Sequence, residues 1–186
     1  MKITILGNGI FGSAMASYLT RIGHDIAIDI IDNSEVIFVC VPSYAVVDAL
    51  SKVQKEITNQ KIIICSKGFA GEGKLISEVL NEKLKNNLFF FYGPILAEEL
   101  RNGEFSSMVL AGGNGKDVLK KEIESESLYI ETSDDIIGIE ISAALKNVVA
   151  IFIGIVEGAG YGQNAGAFIF AKGVQEIRKI GLVLGA

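Results

Sequence analysis

Residues 1–12, which read M-K-I-T-I-L-G-N-G-I-F-G, decide the fold of this chain. Residues 2–6 are rich in β-branched side chains, as in a buried parallel strand. Gly7, Gly9 and Gly12 then complete the pattern G-x-G-x-x-G. After a strand, such glycines allow a tight turn, a close approach of backbone to a pyrophosphate, and close packing of the next helix. The stretch therefore predicts a nucleotide-binding turn.

The context of this turn favours nucleotide binding over a purely steric use of the glycines. A predicted helix at 13–22 and a predicted strand at 25–31 complete one βαβ unit of the expected size. The free N–H groups and the positive dipole end of the helix would face the phosphates. Asp29 and Asp32 are candidates for binding the adenosine ribose, with solvated turn acids as an equally weighted alternative.

Composition bounds the class of protein. The 186 residues are 49% hydrophobic, which suits one full domain and part of another. A net charge of -5 and the absence of any Lys or Arg block argue against a nucleic-acid partner. No secretory leader is recognisable, and the longest uninterrupted apolar stretch, 148–156, is about half of what a bilayer crossing needs. A cytoplasmic protein without membrane insertion is expected.

The cysteines and the histidine predict no metal site. Cys40 and Cys65 lie in apolar strand-like runs, without a second Cys or a His at the spacing of metal ligands. They are predicted to be buried thiols. His24 is the only histidine and lies in a connection, where a turn role is favoured over a catalytic one.

Strand and helix patterns alternate along the chain as far as Thr132, which predicts a Rossmann-type doubly wound parallel sheet with helices on both faces. Residues 29–35 are too few for a helix between the second and third strands. Pro42, Ser43, Ser66 and Lys67 follow strands, so they are expected to line the crevice beside the glycine loop. The further strands are predicted at 36–41, 61–65, 88–92, 105–111 and 128–131. The further helices are predicted at 44–55, 75–84, 97–101 and 118–124. Ser43 is predicted to be the N-cap of the helix at 44–55.

After Thr132 the pattern becomes helical. Residues 134–156 are apolar on nearly every side, as in a buried helix, and a second helix is predicted at 164–184. Lys146 within the first helix is a costly buried cation, a functional amine in a dry site, or a lysine that reaches the surface. We therefore predict two parts of the chain: residues 1–132, expected to bind a dinucleotide, and residues 133–186, expected to be the start of an incomplete helical domain.

Short motifs in a fixed order connect these segments to a known family. They lie at 7–12, 41–43, 66–69, 93–94 with 97–99, 144–148 (A-L-K-N-V) and 157–165. Together they resemble the bacterial NAD(P)-dependent glycerol-3-phosphate dehydrogenases. The resemblance implies a Rossmann domain followed by an all-helical substrate domain. It also implies reversible hydride transfer between the nicotinamide of NAD or NADP and dihydroxyacetone phosphate, which gives sn-glycerol 3-phosphate. The implied location is the cytoplasm, and the implied role is in glycerophospholipid metabolism.

The resemblance also implies roles for individual residues. Lys146 matches the proton-transferring lysine, and Lys67 the lysine that holds the phosphorylated substrate beside the nicotinamide. Asn147 would add a hydrogen bond, and Gly93 a backbone contact to the substrate. The implied cofactor contacts are Gly7, Gly9, Ile10, Phe11, Gly12, Pro42, Lys67 and Ala97.

The chain departs from the family pattern in three places. An arginine-bearing turn and a strand-helix stretch are missing between about Ile28 and Asp29, so the choice between NAD and NADP stays open. Ile95 stands where a Ser or Thr helps bind substrate. The family's later aspartate and its Ser-Arg-Asn segment would lie beyond Ala186.

Two other functions stay open beside this enzyme. One is a catalytically silent nucleotide-binding module, and the other is a two-domain reductase that acts on another small acid or keto substrate. We also expect self-association or poor solubility, because the last two helices would expose apolar faces. A homodimer is the expected assembly.

Overall fold

The computed structural model of the chain describes residues 1–31, 33–80 and 87–186. Its seven strands are β1 (Lys2–Leu6), β2 (Asp25–Ile28), β3 (Val36–Val39), β4 (Lys61–Ile64), β5 (Leu88–Tyr92), β6 (Ser106–Gly112) and β7 (Leu128–Ser133). They form a single sheet at the centre, with the order β2-β1-β3-β4-β5-β6-β7.

The predicted Rossmann-type sheet is confirmed, with one refinement. The first five strands are mutually parallel, but β5 and β6 pair antiparallel, with Phe89 opposite Gly112. Strand β7 is parallel to β6. The connection at 93–105 stays at the edge where β5 ends, so the chain enters β6 from that same edge. The β and α alternation in the sequence contains no signal for this reversal.

The described residues form seven α-helices. A 3-10 turn at Ser43–Ala45 precedes the helix at Val46–Val53, so the prediction of Ser43 as an N-cap is wrong, and no described side chain caps this helix. The helix predicted at 75–84 is formed at 76–79, and 81–84 lie outside the described residues. The helices are α1 (Ile10–Arg21), α2 (Val46–Val53), α3 (Ile76–Val79), α4 (Ala97–Asn102), α5 (Lys116–Ile123), α6 (Ile136–Gly158) and α7 (Gln163–Leu184).

The strands bury both faces, which is what a doubly wound sheet requires. In β3, Phe38 joins a core cluster with Met15 of α1, whereas the next side chain, Val39, joins a second cluster with Leu50 of α2. Alternate side chains point to opposite faces of a strand, so one continuous apolar run supplies two cores. The carboxyl ends of β1 to β5 therefore lie at one edge of the sheet, with a core cluster packed on each face.

The prediction that the first long helix is buried all round is wrong for its second half. Ile136, Ile139 and Ala143 of α6 pack into the second core cluster. Phe152 and Ile155 are 54% and 59% exposed. Among the described residues, those of α6 after Ala143 belong to neither core cluster, and this part of the helix packs along α7. At Gly173 of α7, a Cβ would lie 2.5 Å from the side chain of Val149, so only glycine allows this close pairing.

Helix α6 is also long and apolar enough to cross a membrane, judged by length and composition. Unlike the run of 148–156 considered in the sequence, the whole helix has 23 residues. One helix of this kind is weak evidence, since the core helix of a soluble protein meets the same criterion.

Candidate functional site

The glycine loop between β1 and α1 is packed tightly at two of its glycines and open at the third. A Cβ on Gly12 would lie 1.9 Å from the Gly7 carbonyl oxygen. Gly7 has a φ of 101°, and a Cβ there would lie 2.8 Å from Val41. A Cβ on Gly9 would meet no described atom within 4 Å. Packing therefore accounts for Gly7 and Gly12, whereas Gly9 leaves a surface that a ligand can approach closely.

The N-terminus of α1 is suited to an anion. Gly9 is its N-cap, and within the described chain no side chain caps the helix and no acid lies in its first turn. The predicted contact residues Ile10 and Phe11 are its first two residues, with Ile10 exposed and Phe11 half-buried. Free N–H groups and the positive dipole end of a twelve-residue helix favour a phosphate here. The loop thus fits the diphosphate of a dinucleotide.

Asp29 lies beside this loop. Its Oδ1 accepts a hydrogen bond of 2.7 Å from the Gly7 backbone N–H, and its own N–H donates to the Ile5 carbonyl oxygen at 2.9 Å. The side chain is exposed. Of the two acids predicted to bind ribose, the structure places Asp29 at the loop, and Asp32 lies outside the described residues.

Buried hydroxyl groups join the ends of three strands. The Ser66 hydroxyl donates to the Val41 carbonyl oxygen, and the Tyr92 hydroxyl donates to the Ser66 carbonyl oxygen at 3.0 Å. Burial raises the pKa of Tyr92, so its hydroxyl stays protonated as a donor. Ser66 was expected to line the crevice but is buried, because its hydroxyl satisfies backbone at the end of β3. Pro42 is exposed at the same edge.

Lys67 reaches back from the end of β4 to the start of α1. Its Nζ lies 5.4 Å from the centroid of the Phe11 ring, within the range of a cation–π contact. Burial lowers the pKa of Lys67, and the positive charge of Lys146 lowers it further. The structure therefore brings together three residues that are far apart in the sequence, Phe11, Lys67 and Lys146.

Lys146 lines a cavity of about 300 Å³ between α6 and the end of β5. Its Nζ donates to Asn147 Oδ1 at 2.8 Å, and the side chain is half-buried. Gly93 and Ser142 line the same cavity. Of the three alternatives for Lys146, the fully buried cation is excluded. The predicted substrate contacts Gly93 and Lys146 lie together.

Helix α4 brings Ala97 to the glycine-loop side of the sheet. Arg101 Nη2 donates to Ser13 Oγ at 2.9 Å, and Arg21 Nη2 donates to the Leu100 carbonyl oxygen at 3.1 Å. Both bonds hold α4 against α1. Ala97 and Ile95 are half-buried against the first core cluster, as is Phe11.

Glu140 is a residue whose importance the sequence analysis missed. Its side chain is 3% exposed, and its Oε1 accepts a hydrogen bond of 3.1 Å from the Ser77 backbone N–H. Its Oε2 has no hydrogen-bond partner among the described residues. Burial raises the pKa of Glu140. An acid in an otherwise apolar helix was a visible signal, but its contact with α3 depends on tertiary structure.

The two cysteines are at least partly buried, and His24 is hydrogen-bonded to backbone groups. Cys65 is buried and Cys40 half-buried, and burial raises the pKa of the Cys65 thiol. His24 Nε2 lies 2.8 Å from the Glu122 carbonyl oxygen, which only accepts, so Nε2 carries the proton and Nδ1 accepts from the N-terminal amine at 3.2 Å. Over residues 1–31, 33–80 and 87–186, no cluster of His, Cys, Asp or Glu could hold a metal ion.

The sheet, the open glycine loop and the anion-binding end of α1 define a dinucleotide-binding protein of the Rossmann class. Two family models match the chain. The N-terminal model of NAD-dependent glycerol-3-phosphate dehydrogenase covers residues 27–118, and the C-terminal model covers residues 135–186. The chain belongs to the NAD-dependent glycerol-3-phosphate dehydrogenase family.

Individual relatives agree with this assignment. The glycerol-3-phosphate dehydrogenase (NAD(P)+) of Thermoanaerobacter sp. (strain X514) is 30% identical over 227 positions, which cover all of this chain and 68% of the relative. The enzyme of the same name from Clostridium acetobutylicum is 30% identical, covering 98% of this chain and 68% of the relative. Because 227 aligned positions hold only 186 residues of this chain, the first relative has segments that this chain lacks.

A solved structure shows the same fold. The crystal structure of glycerol-3-phosphate dehydrogenase from Coxiella burnetii matches with a TM-score of 0.87 and 23% identity. The match covers all of this chain and 70% of that chain. The predicted succession of a Rossmann sheet and long helices is therefore confirmed.

Proposed function

We propose that this chain carries the dinucleotide site and the proton-transferring lysine of an oxidoreductase. The reaction interconverts dihydroxyacetone phosphate and sn-glycerol 3-phosphate, with NAD(H) or NADP(H) as cofactor. The observation that carries the proposal is the proximity of Lys67 and Lys146 beside the cavity at Gly93, on the sheet edge where the glycine loop lies. The names of the relatives support the same reaction.

The charge of this region suits an anionic substrate. Lys67 and Lys146 repel each other, and no described carboxylate forms an ion pair with either of them. An anion between them would relieve this repulsion, and a half-buried site strengthens the attraction relative to water. Dihydroxyacetone phosphate supplies both a phosphate and a carbonyl oxygen that becomes negative during reduction.

In this proposal, Lys146 transfers the proton. When bound, the reduced nicotinamide supplies the hydride that reaches the carbonyl carbon. The Lys146 ammonium, held by Asn147 Oδ1, gives its proton to the carbonyl oxygen as negative charge develops there. In the reverse direction, the Lys146 amine takes the proton from the substrate hydroxyl. Lys67 holds the substrate by its charge, and the Gly93 backbone adds a contact.

The division of the chain also belongs to this proposal. Residues 1–132 would bind the dinucleotide, and residues 133–186 would begin the substrate domain. The separate family matches at 27–118 and 135–186 support this division. The resemblance to the family supports a cytoplasmic location, a role in glycerophospholipid metabolism and assembly as a homodimer.

Replacement of Lys146 tests the proposal. The purified protein is expected to oxidise NADH or NADPH when dihydroxyacetone phosphate is added, as followed by absorbance of the reduced nicotinamide. Lys146→Ala should lower kcat by about 10²- to 10⁴-fold, the usual size of a general acid–base contribution. NADH affinity should change little. Lys179→Ala, at an exposed lysine of α7, is the matched control and should retain full turnover.

The alternative functions give different results in the same assay. Dinucleotide binding without any turnover would identify a silent binding module. Faster turnover with another small keto acid than with dihydroxyacetone phosphate would identify a different reductase. An unchanged rate in Lys146→Ala would contradict the role of this lysine.

A further inference from the structure

Asp29 occupies the position from which a Rossmann protein contacts the adenosine ribose. It is the first residue after β2 and lies about 20 residues beyond the glycine loop, the usual spacing for the ribose-binding acid. The bond of 2.7 Å from the Gly7 N–H to Oδ1 holds the carboxylate against the loop. Its Oδ2 has no hydrogen bond to a described residue, and the side chain is exposed.

A carboxylate at this place distinguishes the two nicotinamide dinucleotides. The ribose of NAD(H) offers hydroxyl groups that donate to a carboxylate. The ribose of NADP(H) carries a 2′-phosphate instead, which brings further negative charge to within a few ångströms of Asp29. Two like charges at such a distance repel each other strongly at a protein surface.

The sequence around Asp29 supplies no Lys or Arg to offset this repulsion. Proteins that accept NADP(H) place an Arg near the 2′-phosphate. Residues 22–51 of this sequence contain neither Lys nor Arg. Arg21, just before this segment, donates to the carbonyl oxygens of Leu100 and Arg101 and is thus directed toward α4. Lys67 follows β4, which β1 and β3 separate from β2 in the sheet.

We infer that this chain binds NAD(H) in preference to NADP(H), and that Asp29 determines this specificity. The inference rests on the proposed function, since it concerns the same dinucleotide site. It narrows the choice that the relatives' names leave open, because those enzymes are named for both cofactors.

The first test compares the two reduced cofactors on the unmodified protein. NADH and NADPH are titrated separately, and binding is followed by the fluorescence of the reduced nicotinamide. NADH is expected to bind about tenfold or more tightly, which corresponds to about 1.4 kcal/mol. The measurement needs no turnover and no variant.

The second test removes the charge of Asp29 and keeps its hydrogen bond. In Asp29→Asn, the amide oxygen can still accept from the Gly7 N–H, and Asn tolerates the φ of 55° at this residue. NADH should still bind, and its advantage over NADPH should fall to about threefold or less, because like-charge repulsion is lost. Asp25→Asn, at the exposed other end of β2, is the control and should leave the NADH-to-NADPH ratio unchanged.

Each other result contradicts a specific statement. Equal affinities, or tighter binding of NADPH, overturn the inference while the proposed function stands. Failure of both cofactors to bind overturns the proposed function, and the inference with it. An unchanged ratio in Asp29→Asn with NADH binding retained shows that Asp29 does not determine the preference.

Discussion

The glycines of the loop differ in what an added methyl group would contact. We therefore expect Gly12 to be needed for the fold and Gly9 for dinucleotide binding. In Gly12→Ala the new Cβ would lie 1.9 Å from the Gly7 carbonyl oxygen. Backbone must then move, so we expect a loss of about 3 kcal/mol in the free energy of unfolding. Gly9→Ala has open space and an extended backbone, with φ -77° and ψ -172°, that alanine can adopt, so its loss in the free energy of unfolding should stay below about 1 kcal/mol.

For NADH binding, in contrast to stability, we expect Gly9 to be the sensitive position. Gly9→Ala should weaken NADH binding by about tenfold, since a methyl group would stand where backbone approaches the diphosphate. Urea denaturation and NADH titration of both variants measure the two effects. Gly9→Ala protein that is strongly destabilised, or that binds NADH normally, would contradict the assignment of Gly9 to ligand contact.

The contact between α6 and α3 depends on a buried acid. Helix α6 carries Lys146, and Glu140 attaches the helix to the start of α3 through the Ser77 N–H. The raised pKa of Glu140 means that the folded protein holds this proton more firmly than the unfolded chain. Its stabilising contribution is therefore complete below pH 4.5 and is lost as pH rises toward the raised pKa.

Glu140→Gln should remove this pH dependence. Glutamine keeps an acceptor for the Ser77 N–H and has no charge to bury, so the variant should be more stable than the unmodified protein at pH 7, by on the order of 1 kcal/mol. The advantage should shrink as pH falls to 4.5. Glu126→Gln, at an exposed turn, is the control and should show neither effect. Melting curves between pH 4.5 and 7 measure both effects. A Glu140→Gln variant that is less stable than the unmodified protein at pH 7 would contradict the prediction.

The whole molecule exposes an apolar surface on its two long helices. Phe152 and Ile155 of α6 and Phe168 of α7 are all more than half exposed. Burying one such side chain contributes about 1.5–3 kcal/mol, so we expect the chain to self-associate. Light scattering should give a mass above 19.9 kDa that rises with protein concentration.

Polar substitutions on this surface should reverse the association. Phe152→Ser combined with Ile155→Ser is expected to shift the mass toward that of one chain, because less apolar area is then buried on contact. Val118→Ser, at an exposed valine of α5, is the control and should have no effect. A single chain at every concentration of the unmodified protein would contradict the prediction.

Much of the fold could be predicted because strands and turns have local signals. Strand β5 was predicted with its observed bounds, and the short connection before β3 was recognised because residues 29–35 cannot hold a helix. The antiparallel β6 was not predicted, since strand direction depends on the path of the connection. The residue of α6 after which burial ends was also not predicted, because an apolar pattern does not say how far a helix extends beyond the sheet.

By itself, the sequence determined the glycine turn, the succession of strands and helices, and the family, because these depend on local patterns of residue types. Only tertiary structure decided that Lys67 lies over the Phe11 ring and feels the charge of Lys146, that Ser66 is buried, and that Asp29 lies at Gly7. The physical reason is that strand order brings distant segments to one edge of the sheet. Charge, burial and hydrogen bonding at that edge arise from this convergence.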